Sequence, residues 1–290
     1  MSGTLSAINV AINARLTRAY VRVVRIPPTM KPASTIKYLS IALCTAAALS
    51  PLPALAAPEE IQVYLDEFAE TGKFGLDFHT NFVASAETGA TSRNLLRVTP
   101  ELSYGINEHW EGALYWLTST GPEQEGGQPV NDGFKVRLKW RPSAPSTDSP
   151  WYWAINFEVG ELARRFYPDT TSSELKFIGM WKSGRWTLGA NLNLARPLRP
   201  DAQQGTTAEV DGKVAYRVVN GQEMDLQLGV EHYAGLGTLK NLYASNERTA
   251  MTFLVADFGF KGWDFNFGLG QATGATQDKV VLKAIIGVPF

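Results

Sequence analysis

GFKVRLKWR, residues 133–141, decides how this chain is read. Extended, it puts Phe134, Val136, Leu138 and Trp140 on one face and Lys135, Arg137 and Lys139 on the other, because successive side chains of a strand point to opposite sides. A soluble sheet turns its large apolar face toward a finite core. A closed barrel in a membrane turns that face to lipid and keeps its charges for the lumen.

The same alternation recurs along the chain. In 185–195, Trp186, Leu188, Ala190, Leu192 and Leu194 oppose Thr187, Gly189, Asn191 and Asn193. In 207–218, Ala208, Val210, Val214 and Tyr216 oppose Glu209, Asp211, Lys213 and Arg217. In 263–271, Trp263, Phe265, Phe267 and Leu269 oppose Asp264, Asn266, Gly268 and Gly270. Segments of about ten residues suit tilted strands spanning a thin bilayer, and the periodicity predicts them at 73–85, 94–105, 109–119, 133–141, 151–160, 174–182, 185–195, 207–218, 223–234, 249–260, 263–271 and 278–289. Two are weaker. In 174–182, Glu174 and Lys176 share parity with Ile178 and Met180, and in 249–260 both faces are largely apolar. The fold class expected is all-β: a single antiparallel transmembrane barrel of about twelve strands, an even number as closure favours.

Connection lengths alternate as such a barrel requires. Short ones are 106–108, 182–185, 219–222 and the turn at Lys261-Gly262, rich in the Gly, Asn and Ser of hairpins. Long ones are 86–93, 120–132, 161–173, 196–206, 235–248 and 272–277, with 142–150 an overlong member of the short set. With the amino terminus periplasmic, long loops face outward and both termini lie in the periplasm.

The first 56 residues read as export sequence. They hold Arg15, Arg18, Arg22, Arg25, Lys31 and Lys37 and no acid. A basic stretch from Lys31, an apolar run over 38–50 and Ala54-Leu55-Ala56 form a signal peptide over 30–56 with an A-x-A cleavage site. Residues 1–29 are an extended amino-terminal region or an upstream start. Cleavage removes the only Cys, Cys44, and six of the 27 basic residues, leaving 234 residues at a formal charge of −7. That excludes a thiolate site in the mature chain. No basic balance points to nucleic acid. Residues 57–72, with Glu59, Glu60, Asp66, Glu67 and Glu70, are expected as a periplasmic lead-in, with a short lumen insert as the alternative.

Several stretches carry a resemblance: EIQVYLDEF (60–68), RVTPELSYGINEHWEGALY (97–115), VRLKWRP (136–142), NFEVGELARRF (156–166), LGVEHYAGLG (228–237) and FLVADFGFKGWDFNFGLG (253–270). Through them residues 57–290 resemble a poorly characterised family of proteobacterial outer-membrane β-barrels, related in look to channel-like barrels near aromatic-degradation genes. Phe290, ending AIIGVPF, is similar to the terminal aromatic that Gram-negative outer-membrane proteins present to the barrel-assembly machinery. The resemblance implies an outer-membrane channel for small solutes without assigned catalytic residues, with outer-membrane lipid, the assembly machinery and periplasmic chaperones as partners.

Parity places Asp77, His79, Arg97, Glu101, Glu111, Lys135, Arg137, Lys139, Glu158, Glu209, Lys213, Arg217 and Glu231 toward the lumen, with Asn156, Asn191, Asn193, Asp211, Asp225, Gln227, Asp264 and Asn266. Charges of both signs can orient polar solutes or pair across the lumen and close it. Glu158, Glu161, Arg164 and Arg165 form either a mouth cluster or an ion-paired loop stem. No cofactor is expected and no metal set, since three scattered His supply poor ligand spacing. Catalysis is the rival class. His79 is inward and mid-strand, His109 opens a strand at a turn, and His232 faces lipid with Val230 and Ala234, rather than Ser, two residues either side. Neither GxSxG nor HExxH occurs. Loops 120–132 and 196–206 lack the aromatic cluster of a binding anchor.

Overall fold

The computed structural model describes residues 60–121, 128–146, 148–163, 170–199, 205–221 and 223–289. The leader expected over 1–56, the loop residues Arg164 and Arg165 and the terminal Phe290 lie outside the described residues. Twelve strands form the barrel: β1 Phe74–Ala86, β2 Leu96–Gly105, β3 Trp110–Thr120, β4 Val130–Trp140, β5 Trp151–Leu162, β6 Thr171–Ser183, β7 Trp186–Pro197, β8 Thr207–Asn220, β9 Met224–Thr238, β11 Thr249–Phe260, β12 Trp263–Ala272 and β13 Asp278–Val288. A two-residue strand, β10 (Asn241–Leu242), folds back on the end of β9 within its loop. Each barrel strand pairs antiparallel with its sequence neighbour, and β1 pairs with β13 to close the sheet, from Leu76 opposite Val288 to Ala86 opposite Asp278. Closure leaves no unpaired edge, the condition for a sheet to sit in lipid. This is a transmembrane β-barrel.

Every expected strand is present, and some run further. β4 begins at Val130 rather than 133 because a bulge lets pairing continue past Gly133. Gly133 has φ of 130°, and a Cβ there would meet the Glu161 carbonyl oxygen at 1.8 Å. Only glycine fits that approach. β9 likewise runs to Thr238 instead of stopping at 234. Lys261 and Gly262 both take positive φ, 49° and 84°, the two-residue turn whose twist matches the flanking strands.

The outer face is apolar. Phe134, Val136, Leu138, Phe157, Leu188, Leu192, Leu228, Leu254, Phe267 and Leu282 are all exposed there. In water an apolar surface of that extent would drive association; in a bilayer it is the solvated side. Aromatics gather at the short-turn end. Trp110 faces Trp140 with ring centroids 6.4 Å apart, Trp140 meets Trp153 at 5.4 Å, and Phe74–Tyr104 and Trp186–Tyr216 each lie at 4.9 Å. That is the position of an interfacial girdle.

The interior corrects one expectation. The described part of 57–72 is not a lead-in trailing from the barrel; residues 60–70 run up inside it. At the turn end Gly72 N donates to Gly105 O at 2.7 Å, and higher up Ile61 packs among Val83, Ala86, Leu95, Phe253, Val255 and Val281 near the long-loop end. Val63, Tyr64 and Leu65 pack against Tyr152, Ala154, Ile178 and Met180. Two glycines open the wall to the segment: a Cβ at Gly105 would meet the Glu70 carbonyl oxygen at 2.2 Å, and one at Gly189 would meet Leu65 Cδ2 at 2.3 Å. The physical reason is burial. Ile61, Val63, Tyr64 and Leu65 each gain roughly 1.5–3 kcal/mol by leaving water, and the inward apolar residues of β6 and β11 gain a partner they would otherwise lack.

Candidate functional site: the occupied lumen

The basic ladder of β4 organises one side of the interior. Arg137 is its hub. Its guanidinium meets Glu101 on β2 at 2.6 Å, Glu111 on β3 at 2.5 Å, the Tyr115 hydroxyl at 2.5 Å and the Tyr64 hydroxyl at 3.3 Å. Lys135 bridges Glu158 on β5 and Glu60 on the insert, at 3.0 Å each. Lys139 donates to the Glu67 carbonyl oxygen at 2.9 Å and lies 3.6 Å from Glu111. A planar fork such as arginine serves several oxygens at once, which explains why the most connected position carries Arg and its neighbours Lys.

A second cluster lies across the lumen. Lys213 on β8 meets Glu231 on β9 at 3.0 Å and Asp257 on β11 at 2.8 Å. Lys283 on β13 also pairs with Glu231 and donates to the Ile61 carbonyl oxygen at 3.1 Å. Tyr233 donates to Glu231 at 2.6 Å, and Asn266 to Asp257 at 2.7 Å. Between the clusters Asn191 makes a two-way amide contact with Tyr64: it accepts from the backbone N–H at 2.7 Å and donates to the carbonyl at 2.9 Å.

Of the residues that parity selects, His79, Arg97, Glu101, Glu111, Lys135, Arg137, Lys139, Asn156, Glu158, Asn191, Asn193, Asp211, Lys213 and Glu231 are buried. Asp77, Glu209, Arg217, Asp225, Gln227 and Asn266 are half-buried, and Asp264 is exposed beside the Lys261-Gly262 turn. Arg217 pairs with Asp225 at 3.2 Å near the turn end, away from both clusters. Glu158 and Glu161 separate: Glu158 joins Lys135 inside and Glu161 is exposed. Parity missed Lys283, hidden in a strand read for its apolar side, and Lys176, in the weakly alternating β6. It also missed Tyr115 and Tyr233.

The three His occupy three environments. His79 Nε2 lies 3.0 Å from Glu101 inside the barrel, His109 Nδ1 lies 3.1 Å from the Arg141 carbonyl oxygen at a turn, and His232 Nδ1 lies 2.9 Å from Thr252 Oγ1 on the outer face. Among the described residues, Glu60, His79 and Glu101 form a group with metal-like spacing. Both its carboxylates are engaged by Lys135, Tyr64 and Arg137, so the group is part of the ion-pair network around Arg137.

Burial pushes the Glu60 carboxyl up, but Lys135, with His79 and Lys176 behind it, wins and holds it well below the usual carboxylate range. A carboxyl depressed in the folded state contributes stability above its ordinary range and loses it as pH falls through the lowered value. Glu60's share of the insert's hold, read as the difference in protection between the parent chain and Glu60→Gln, is therefore expected to persist down to about pH 5, above the ordinary glutamate value of about 4.3, and to be lost only in strong acid. Amide hydrogen exchange of residues 60–70 against pH checks this.

No family model matches the chain, and no curated protein matches it. Among solved structures it is similar to the NanC porin (14% identity, TM-score 0.48, covering 74% of this chain and 98% of that one). It is also similar to the KdgM porin (7% identity, TM-score 0.49, 74% and 99%) and to the translocator domain of the autotransporter NalP from Neisseria meningitidis (12% identity, TM-score 0.45, 91% and 100%).

Proposed function

We propose that the chain is a non-enzymatic outer-membrane channel of a Gram-negative bacterium, passing small polar or amphipathic solutes through a lumen narrowed by its own residues 60–70. The observation that carries this is the division of the wall: apolar outside, with Arg137, Lys135, Lys139, Lys213 and Lys283 facing Glu101, Glu111, Glu158, Glu231 and Asp257 inside. Opposed charges around a pore create a transverse field that aligns dipolar solutes. In this reading the short turns face the periplasm, Phe290 addresses the assembly machinery, and the family resemblance of residues 97–115 and 253–270 extends to the task.

A closed structural barrel is the second reading, favoured by how completely Tyr64, Val63 and Ile61 are buried among wall residues. Planar-bilayer recording of the refolded mature chain separates the two. A channel gives discrete current steps, at least about threefold larger after Tyr64→Ala loosens the insert. A barrel that folds correctly yet stays silent with and without that substitution is structural.

A further inference from the structure

The interior contacts to residues 60–69 have a property that ordinary core packing lacks: the wall reads peptide backbone. Asn191 holds both the N–H and the carbonyl of Tyr64. Lys283 donates to the carbonyl of Ile61 and Lys139 to that of Glu67, and the Glu111 carboxylate accepts from Ala69 N–H at 2.5 Å. Five backbone groups are thus matched by side chains from four different strands. The segment is extended, and its side chains meet matching surfaces. Ile61 enters a pocket of Val83, Phe253 and Val281, and Leu65 sits over Gly189 beside Ile178 and Met180. The Glu60 carboxylate meets Lys135, and the Tyr64 ring lies under Arg137, Lys139 and Lys176, with cation-to-centroid distances of 5.6, 5.0 and 4.2 Å.

We propose that the inner wall is a peptide-binding site for an extended, acidic segment with alternating apolar side chains, filled in cis by residues 60–69 and able to take such a peptide in trans. Backbone hydrogen bonds supply general affinity, and pockets for alternate side chains supply selectivity, the division of labour of strand-like peptide recognition. The preference for acid rests on Lys135, which meets the Glu60 carboxylate, while Lys139 and Lys283 hold backbone carbonyls and Lys176 faces the Tyr64 ring. A neutral peptide would take the Glu60 carboxylate away from buried Lys135, which is costly. A simple anion or a carbohydrate without an acetamido group has no amide pair to offer Asn191. The inference needs the barrel but no ion flux, so a silent bilayer recording would overturn the channel reading and leave this one standing.

The test uses the full mature chain. Residues 57–290 contain no Cys, so Val63→Cys places a single thiol at a position 2% exposed. Its rate of labelling by a hydrophilic maleimide reports departure of the insert. A tethered segment has an effective concentration of order mM, so the competitor is the synthetic peptide of residues 57–72 at about 10 mM, beside the same peptide with its five acids changed to amides. Labelling is expected to accelerate at least about fivefold with the acidic peptide and less than about twofold with the neutral one. Equal acceleration by both peptides, none by the acidic peptide, or rapid labelling without peptide would overturn the proposal. Should Val63→Cys disturb folding, hydrogen exchange of residues 60–70 in the unsubstituted chain, with the same two peptides, gives the same decision.

Discussion

Arg137→Met is expected to cost the mature barrel about 3–5 kcal/mol, the range for removing one partner of a buried ion pair and stranding the other. Two carboxylates lose their guanidinium here, Glu101 and Glu111, each about 2–5% exposed with the guanidinium at 2.6 and 2.5 Å; Glu101 keeps His79, and Glu111 keeps Lys139 and the Ala69 N–H. The hydroxyls of Tyr64 and Tyr115 lose the same donor. Arg137→Lys keeps the charge but cannot serve four oxygens in a plane, so it recovers only part of the loss. Denaturant unfolding of the refolded protein in detergent reads both variants. A midpoint unchanged by Arg137→Met would mean that the hub is not formed.

Tyr64→Ala acts on the insert instead of the barrel. The side chain is 2% exposed, touches Tyr115 and Arg137 through its hydroxyl and lies under three cations. Truncating a buried aromatic costs about 3–5 kcal/mol, here charged to the hold on residues 60–70, so exchange of their amides should rise by about a hundredfold or more. Barrel unfolding should move far less, because the strand ladder does not pass through Tyr64. The pair of substitutions therefore separates the wall from its occupant: Arg137→Met weakens both, Tyr64→Ala only the second.

The strands were legible in the sequence because a bilayer imposes the simplest possible rule on them. Lipid rewards a large apolar residue at every second position, as in Phe134, Val136, Leu138 and Trp140, and the structure exposes the first three on the outside. The interior was only half legible. Parity finds Lys135 and Arg137 because each is flanked by outward apolar residues, and Glu231 because Leu228 and Val230 set the outward parity of its strand. It cannot find Lys283, whose strand is apolar on the inward side too, at Val281. The insert is legible only as the alternative reading of 57–72, and its trace lies in the two strands where alternation fails. Ile178 and Met180 on β6, and Phe253 and Val255 on β11, point inward although a water-filled lumen would not favour them. They are apolar because Ile61, Val63 and Leu65 lie against them. The insert's own alternation, Ile61, Val63 and Leu65 against Gln62, Tyr64 and Asp66, reads like a strand without a partner, and the barrel wall supplies that partner through side chains.

The central claim is that residues 60–70 occupy the lumen, and a paired substitution tests it most directly. A Cβ placed on Gly189 would lie 2.3 Å from Leu65 Cδ2; that carbon is two bonds, about 2.5 Å, from Leu65 Cβ, so the two Cβ atoms are at most about 4.8 Å apart, close to the roughly 3.5–4.5 Å of a disulfide. In residues 57–290, which contain no Cys, Leu65→Cys with Gly189→Cys should oxidise to one intramolecular disulfide, identified by mass spectrometry of the linked peptides, while the barrel stays folded. Two free thiols in a folded barrel, both open to a hydrophilic maleimide after oxidation, would contradict it.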